Sequence, residues 1–333
     1  MTSTRLWRRQ NYKYVLVVSL FVFLLLISKY FGEYPTSSVV CTKASENRTK
    51  VILLWTTWFD KKSWFFSKSE LGRSLSGKKS CPITDCVVTD DQSRLREADV
   101  VLFHYKDPPY WPTTRYTHQY YGHFVQEPPG DRGWFSFIEK YEGRMNITIN
   151  FRHDADIFVP YSVLVPAKKR GEYKQRIALA SKRKSVVWPV SHCGTSSQRE
   201  VYVEELSKHI DVDIYGKCGT HRCPRTRTHS CLEYWENTYK FYLAFENNIC
   251  DDYITEKLFQ PLEYELVPVV LGGGNYSRDA PTHSVINARD FNSPKDLANF
   301  LLELGEDDER YNGYFRWKTS YESVSMSEWL SCR

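Results

Sequence analysis

Residues 239–271 restrict the fold of this chain most. Two runs there, the mostly apolar Tyr239–Phe245 and the apolar Val267–Leu271, enclose a segment, Tyr253–Tyr264, that reads as a helix. Apolar runs of this length, bounded by turn residues and free of strict alternation, read as buried strands. Strand and helix also alternate upstream, with Ser185–Val190 as strand, Glu200–His209 as helix and Val212–Tyr215 as strand. Downstream, Ser293 caps a further helix that has Pro294 at its first position and Leu297, Phe300, Leu301 and Leu304 as its apolar stripe. Strands alternating with helices predict an α/β fold with a parallel sheet. The first half also reads as strands, Val51–Trp58, Val100–His104, Phe124–Gln126 and Ile147–Phe151, but its loops are rich in Pro, Gly and Tyr and its helix signals are weak. No internal repeat is visible, and 333 residues suffice for about two domains.

The N-terminus carries a different signal. Tyr14–Ser28 is uncharged and apolar, and with Lys29 reaching to the interface it extends to about Phe31, a short membrane span. Arg5, Arg8, Arg9 and Lys13 precede it with no acid among them, which places residues 1–13 in the cytosol and the rest in a lumen. Ser28–Gly32 offers no small-residue cleavage site, so a retained signal-anchor is expected rather than a removed signal peptide. Residues 32–50 are polar and read as a stem. The domains expected after it are 51–170 and 171–333.

The formal charge is +5, and setting aside the four basic residues of the cytosolic tail leaves +5 − 4, near +1. That balance argues against a nucleic-acid partner, and the basic stretch from Lys168 to Lys184 reads as a solvated linker. Nine cysteines in a luminal chain imply disulfides, with Cys81–Cys86 and Cys218–Cys223 as candidate short bridges. Zinc held by Cys218, His221, Cys223, His229 and Cys231 competes, but the spacing fits no regular zinc module, and no metal site is expected. The sequons at Asn47, Asn146 and Asn275 agree with a luminal address.

Ligands of open α/β sheets bind beyond the carboxyl ends of the strands. The loop after Phe245 therefore matters, since it carries Glu246, Asn247, Asp251, Asp252, Tyr253, Glu256 and Lys257. Arg199 opens a helix after Ser191–Gln198, and free backbone amides joined to a guanidinium make an anion site. Lys257 supplies a second positive charge. The Asp-x-Asp pairs at Asp154–Asp156 and Asp211–Asp213 sit in other contexts and read as structural.

The run Phe245-Glu246-Asn247 followed by Asp252-Tyr253-Ile254-Thr255-Glu256-Lys257, and then Val267–Gly272, resembles the donor-binding signature of the α1,3-fucosyltransferases. The resemblance extends over residues 85–318. It implies a GT-B architecture, two Rossmann-like domains facing a cleft behind a single N-terminal transmembrane helix. The implied activity is inverting transfer of L-fucose from GDP-β-L-fucose to an N-acetylglucosamine of a glycoprotein or glycolipid glycan. It further implies Glu127 as the catalytic base, and Asn247, Tyr253 and Glu256 beside Arg199 and Lys257 as GDP-fucose contacts. No cofactor is implied as required, with stimulation by a divalent cation left open. The implied place is the Golgi membrane, as a single-pass type II protein. The Ser191-His192-Cys193 and Val212–Gly219 runs are similar to invertebrate and plant enzymes acting on the N-glycan core. Protein O-fucosylation and a non-catalytic Golgi glycan-binding role are the alternatives.

Four departures stand out. His153 replaces a common second Arg, Pro261 falls inside the helix after Lys257, Gly272–Gly274 replaces a stiffer turn and should loosen it, and His104-Tyr105-Lys106-Asp107 differs on the acceptor side.

Overall fold

The computed structural model describes residues 48–59, 64, 86–104, 110–129, 142–167, 178–223 and 230–326. The expected membrane span and most of the stem, Asn47, Cys81, Lys168–Arg170 and His229 lie outside them. Among the described residues no helix is long and apolar enough to cross a membrane.

Six strands form the first sheet: β1 (Lys50–Leu54), β2 (Cys86–Thr89), β3 (Val100–His104), β4 (Tyr120–Val125), β5 (Ile147–Asn150) and β6 (Ile157–Phe158). Their order is β2-β1-β3-β4-β5-β6, and every pairing is parallel. β7 (Ser162–Pro166) leaves this sheet and pairs antiparallel with β13 (Tyr321–Ser325). The second sheet contains β8 (Lys184–Pro189), β9 (Val212–Tyr215), β10 (Tyr239–Phe245), β11 (Val267–Leu271) and β12 (Ile286–Asn287), in the order β12-β11-β10-β8-β9. All its pairings are parallel too. The helices accompanying it are α1 (Arg199–Leu206), α2 (Cys231–Thr238), α3 (Glu256–Glu263), α4 (Tyr276–Asp279), α5 (Pro294–Leu304) and α6 (Asp308–Gly313). Both sheets belong to one compact unit, Thr49–Arg333.

Period-two alternation sorts the second sheet's side chains into two cores. Phe241, Leu243 and Phe245 of β10 join Val203 and Leu206 of α1 and Leu297, Leu301 and Leu304 of α5 on one face. Tyr242 and Ala244 join Trp235 of α2 and Leu258, Phe259 and Leu262 of α3 on the other. A strand covered on both faces has no polar side to show, which is why β11 is apolar throughout and β10 carries one charge, Lys240, whose ammonium donates to Gly305 O at 2.6 Å. The first sheet has smaller cores, Val51, Leu53, Val101, Phe103 and Tyr121 on one face and Leu54, Leu102, Phe124 and Ile149 on the other.

Two local expectations are corrected, and the place of Pro261 inside the helix is as expected. The helix expected from Tyr253 begins at Glu256, because Thr255 is its N-cap and accepts the Lys257 N–H, so residues 251–255 stay in the loop. Pro261 is buried in the last turn of α3, which runs only two residues further, to Glu263. Gly272–Gly274 is not a loosened turn: Gly273 pairs with Asp251, and a Cβ there would strike the Cys250 backbone. The disulfides also differ from those expected. Cys218 bonds Cys193, and Cys223 bonds Cys231. The Cys218–Cys223 bridge is therefore absent, and the zinc set of Cys218, Cys223 and Cys231 has no thiol left to ligate a metal.

Candidate active site

A cavity of about 820 Å³ opens where the carboxyl ends of the two sheets' strands meet. Its wall includes Glu127 from the first sheet, and Arg199, Asn247, Tyr253, Glu256 and Lys257 from the second. Each sits just past a strand or at a helix start. Glu127 follows β4, Arg199 begins α1, Asn247 follows β10, and Glu256 and Lys257 begin α3.

Lys257 is held by a buried acid. The Glu246 side chain is 1% exposed, and its Oε2 lies 3.2 Å from Lys257 Nζ. The same carboxylate accepts the Thr255 N–H and hydroxyl at 2.9 Å each. Glu246 thus fixes the loop and the helix start from below. Burial pushes the Glu246 carboxyl up from its usual range against the pull of Lys257. For Lys257, burial works against the charge, but Glu246 and Glu256 outweigh it and hold the ammonium above its ordinary value. A protonated lysine therefore faces the cavity throughout the neutral range. Its Nζ also lies 3.1 Å from Glu256, whose side chain is about half exposed.

Arg199 is 3% exposed, and backbone carbonyls share its guanidinium. Nη1 donates to Phe245 O at 2.7 Å and Nη2 to His192 O at 2.8 Å. Nε reaches Glu200 at 3.5 Å. Of the five N–H groups of a guanidinium, three have these partners among the described residues, and two remain for a ligand. Burial lowers its pKa from the usual arginine value. The residue before it, Gln198, is left-handed at φ 54° and turns the chain into α1. Ser197 N and Ser196 Oγ both donate to Asn247 O, which ties this loop to the one after β10. The Cys193–Cys218 disulfide ties the same loop to the segment after β9.

Tyr253 is 2% exposed, packs against Phe151 and Tyr161, and its hydroxyl donates to Asn247 Oδ1 at 3.3 Å. Burial, and then Tyr161 and nearby carboxylates, raise its pKa well above the usual phenol range, so it remains a donor. Glu127 is half-buried, and among the described residues its carboxylate makes no hydrogen bond.

Reading the sequence missed Tyr161, Trp235, Tyr242 and Gln260, which also line the cavity. Gln260 was findable, since it lies one helical turn beyond Glu256 and so on the same face. Tyr161 reaches the cavity through the β6–β7 turn, and no local pattern announces that. Apart from the cavity, His153, Asp252 and Asp279 converge closely enough to hold a cation, but Arg278 already bridges the two carboxylates at 2.7 and 2.8 Å. Three members of the Asp-x-Asp pairs have structural partners: Asp154 pairs with Arg152, Asp156 accepts from Thr148, and Asp213 pairs with Lys184. Asn146 and Asn275 are both exposed.

Residues 179–333 match the family described as glycosyltransferase family 10 (fucosyltransferase) C-term, and residues 47–162 match the fucosyltransferase N-terminal family. The alpha-(1,3)-fucosyltransferase C of Drosophila melanogaster is 37% identical over 306 residues, covering 84% of this chain and 71% of the relative. The glycoprotein 3-alpha-L-fucosyltransferase A of the same organism is 36% identical over 307 residues, covering 87% of this chain and 56% of the relative. A crystal structure of an alpha1,3-fucosyltransferase with GDP-fucose superposes with a TM-score of 0.51 at 14% identity, covering 82% of this chain and 83% of that one. At that identity the likeness is one of fold, two parallel α/β sheets.

Proposed function

The chain belongs to glycosyltransferase family 10, the fucosyltransferases, and on that premise we propose that this glycosyltransferase moves L-fucose from GDP-β-L-fucose to an N-acetylglucosamine of a protein- or lipid-linked glycan, inverting the anomeric centre. The observation that carries the reading is the meeting, in one cavity, of a carboxylate from one sheet that makes no hydrogen bond among the described residues and two cations from the other.

In this reaction the Glu127 carboxylate takes the proton of the acceptor hydroxyl as that oxygen attacks the anomeric carbon. The bond from that carbon to the diphosphate oxygen breaks on the opposite face, and GDP departs with the electron pair. Lys257, the two remaining N–H groups of Arg199 and the amides opening α1 meet the charge of the diphosphate. Glu256 faces the positive charge that develops on the sugar ring, while Asn247 and Tyr253 contact polar groups of the donor. Two fixed cations do the work often given to a divalent ion, so we propose that no cofactor is required.

The acceptor-side domain is assigned to residues 51–170 and the donor-side domain to 171–333. We also place the protein in the Golgi membrane as a single-pass type II enzyme anchored by residues 14–31. The two disulfides support an oxidising lumen. A transfer assay tests the whole reading. The part from Pro35 onward, incubated with GDP-fucose and either a core N-glycan or N-acetyllactosamine, should add one fucose mass to one of them. Bound GDP-fucose with no gain on either acceptor would overturn it.

A further inference from the structure

The proposed base stands one residue beyond Gln126, and Gln126 is clamped. The residue is 8% exposed, with Nε2 reaching Met326 Sδ at 2.9 Å and Val159 O at 3.4 Å. Its main-chain carbonyl accepts the Tyr161 hydroxyl at 2.8 Å. Tyr161 comes from the turn between β6 and β7, and Met326 follows β13, so two distant segments converge on this peptide. The Tyr161 ring meets Tyr253 edge-on, with centroids 6.2 Å apart at 78°, and Tyr253 bonds Asn247. A continuous line of contacts thus runs from the loop that carries Glu127 to the floor of the donor side.

We infer that Tyr161 is a positioning residue for the reaction, one that fixes the Gln126–Glu127 peptide so that the Glu127 carboxylate stands at the acceptor side of the cavity. The inference rests on the reading of Glu127 as base. The physical reason is that Glu127 has no hydrogen bond of its own among the described residues, so its place is set through the backbone that bears it. A hydroxyl donating to a carbonyl in a mostly buried setting is a stiff link, and Tyr161 keeps its proton because burial, and then Glu127 and Glu256, raise its pKa beyond the usual phenol range. Displacements of an ångström at a reacting group cost up to about 10²-fold in rate.

The test is Tyr161→Phe, which removes one oxygen and keeps the ring on Tyr253. The expected result is a fall in kcat of about 10-fold, with the KM for GDP-fucose and the affinity for GDP within about 2-fold of wild type and a melting temperature lowered only by the cost of one hydrogen bond. In a Glu127→Gln background the same substitution should cost little more, because Tyr161 acts through Glu127. If Tyr161→Phe fails to fold, Gln126→Met, which frees the same peptide from its side-chain end, should lower kcat in the same selective way. Unchanged kcat in the folded variant, a loss confined to GDP affinity, or full additivity with Glu127→Gln would each overturn the inference. Absence of transfer by the wild-type enzyme would instead overturn the proposed function.

Discussion

The two sheets differ in how much of their site is held in advance. On the second sheet the Lys257, Arg199 and Tyr253 side chains that line the cavity are each held: Glu246 beneath Lys257, carbonyls around Arg199, Asn247 under Tyr253. Both faces of that sheet are covered by helices and a large core. On the first sheet the cores are smaller, and Glu127 enters the cavity without a hydrogen bond of its own among the described residues. The difference suits a division of labour. A nucleotide sugar has fixed charge and shape, and a preorganised pocket meets it at low cost in ordering. A base must change protonation during the reaction, and permanent ion-pair partners would hold its pKa down.

The strongest way to break this comparison is Lys257→Ala. It should weaken GDP binding by about 10²-fold, the worth of a charge-assisted contact. It should also cost about 3 kcal/mol of stability by leaving Glu246 buried and unpaired. Titration calorimetry and thermal melts measure the two, and unchanged GDP affinity would remove Lys257 from the diphosphate. Next is Cys193→Ser. The Cys193–Cys218 bridge spans 25 residues and anchors the loop before α1, so its loss should cost about 3 kcal/mol and loosen GDP binding several-fold without a separate effect on the Glu127 side. A melt and a GDP titration under non-reducing conditions check it.

The effect that is smallest at neutral pH concerns the first sheet. His123 on β4 is mostly buried, and burial lowers its pKa from 6.5 to about 4. Between those values the unfolded chain binds the proton that the folded chain refuses. Stability is therefore complete above pH 6.5 and falls, by at most about 1.4 kcal/mol per pH unit, as the pH drops towards 4. Asp213 and Asp252 of the second half are held below their ordinary values: burial works against them, but Lys184 and Tyr239 around Asp213, and Arg278 with the His153 amide around Asp252, prevail. Their contribution is present above about pH 4 and is lost only below it. His123→Gln should flatten the melting temperature between pH 6.5 and 4, while an unaltered slope would show that the acid sensitivity lies elsewhere.

The same asymmetry governs what could be read from the sequence. β10, β11 and α5 were legible because a strand buried on both faces must be apolar and because Ser293-Pro294 is a local start signal. α2 was not picked out, although Ser230 and Glu233 form a capping box, since its apolar positions are interrupted by Glu, Tyr and Asn. β7 and β13 pair residues some 160 positions apart, as with Ser162 and Ser325, and no local pattern encodes such a partner. Cysteine spacing likewise failed to indicate that Cys218 reaches back to Cys193. Within the site, Arg199 and Lys257 followed from helix-start electrostatics. Glu127 entered only through resemblance, because a lone carboxylate after a strand carries no pattern of its own.

The division of labour is tested most directly by one variant measured two ways. Glu127→Gln should bind GDP and GDP-fucose with wild-type affinity by calorimetry while turnover falls by about 10²-fold or more, as expected on removing a general base. Near-normal turnover, or a loss of GDP affinity to match the loss of rate, would contradict it.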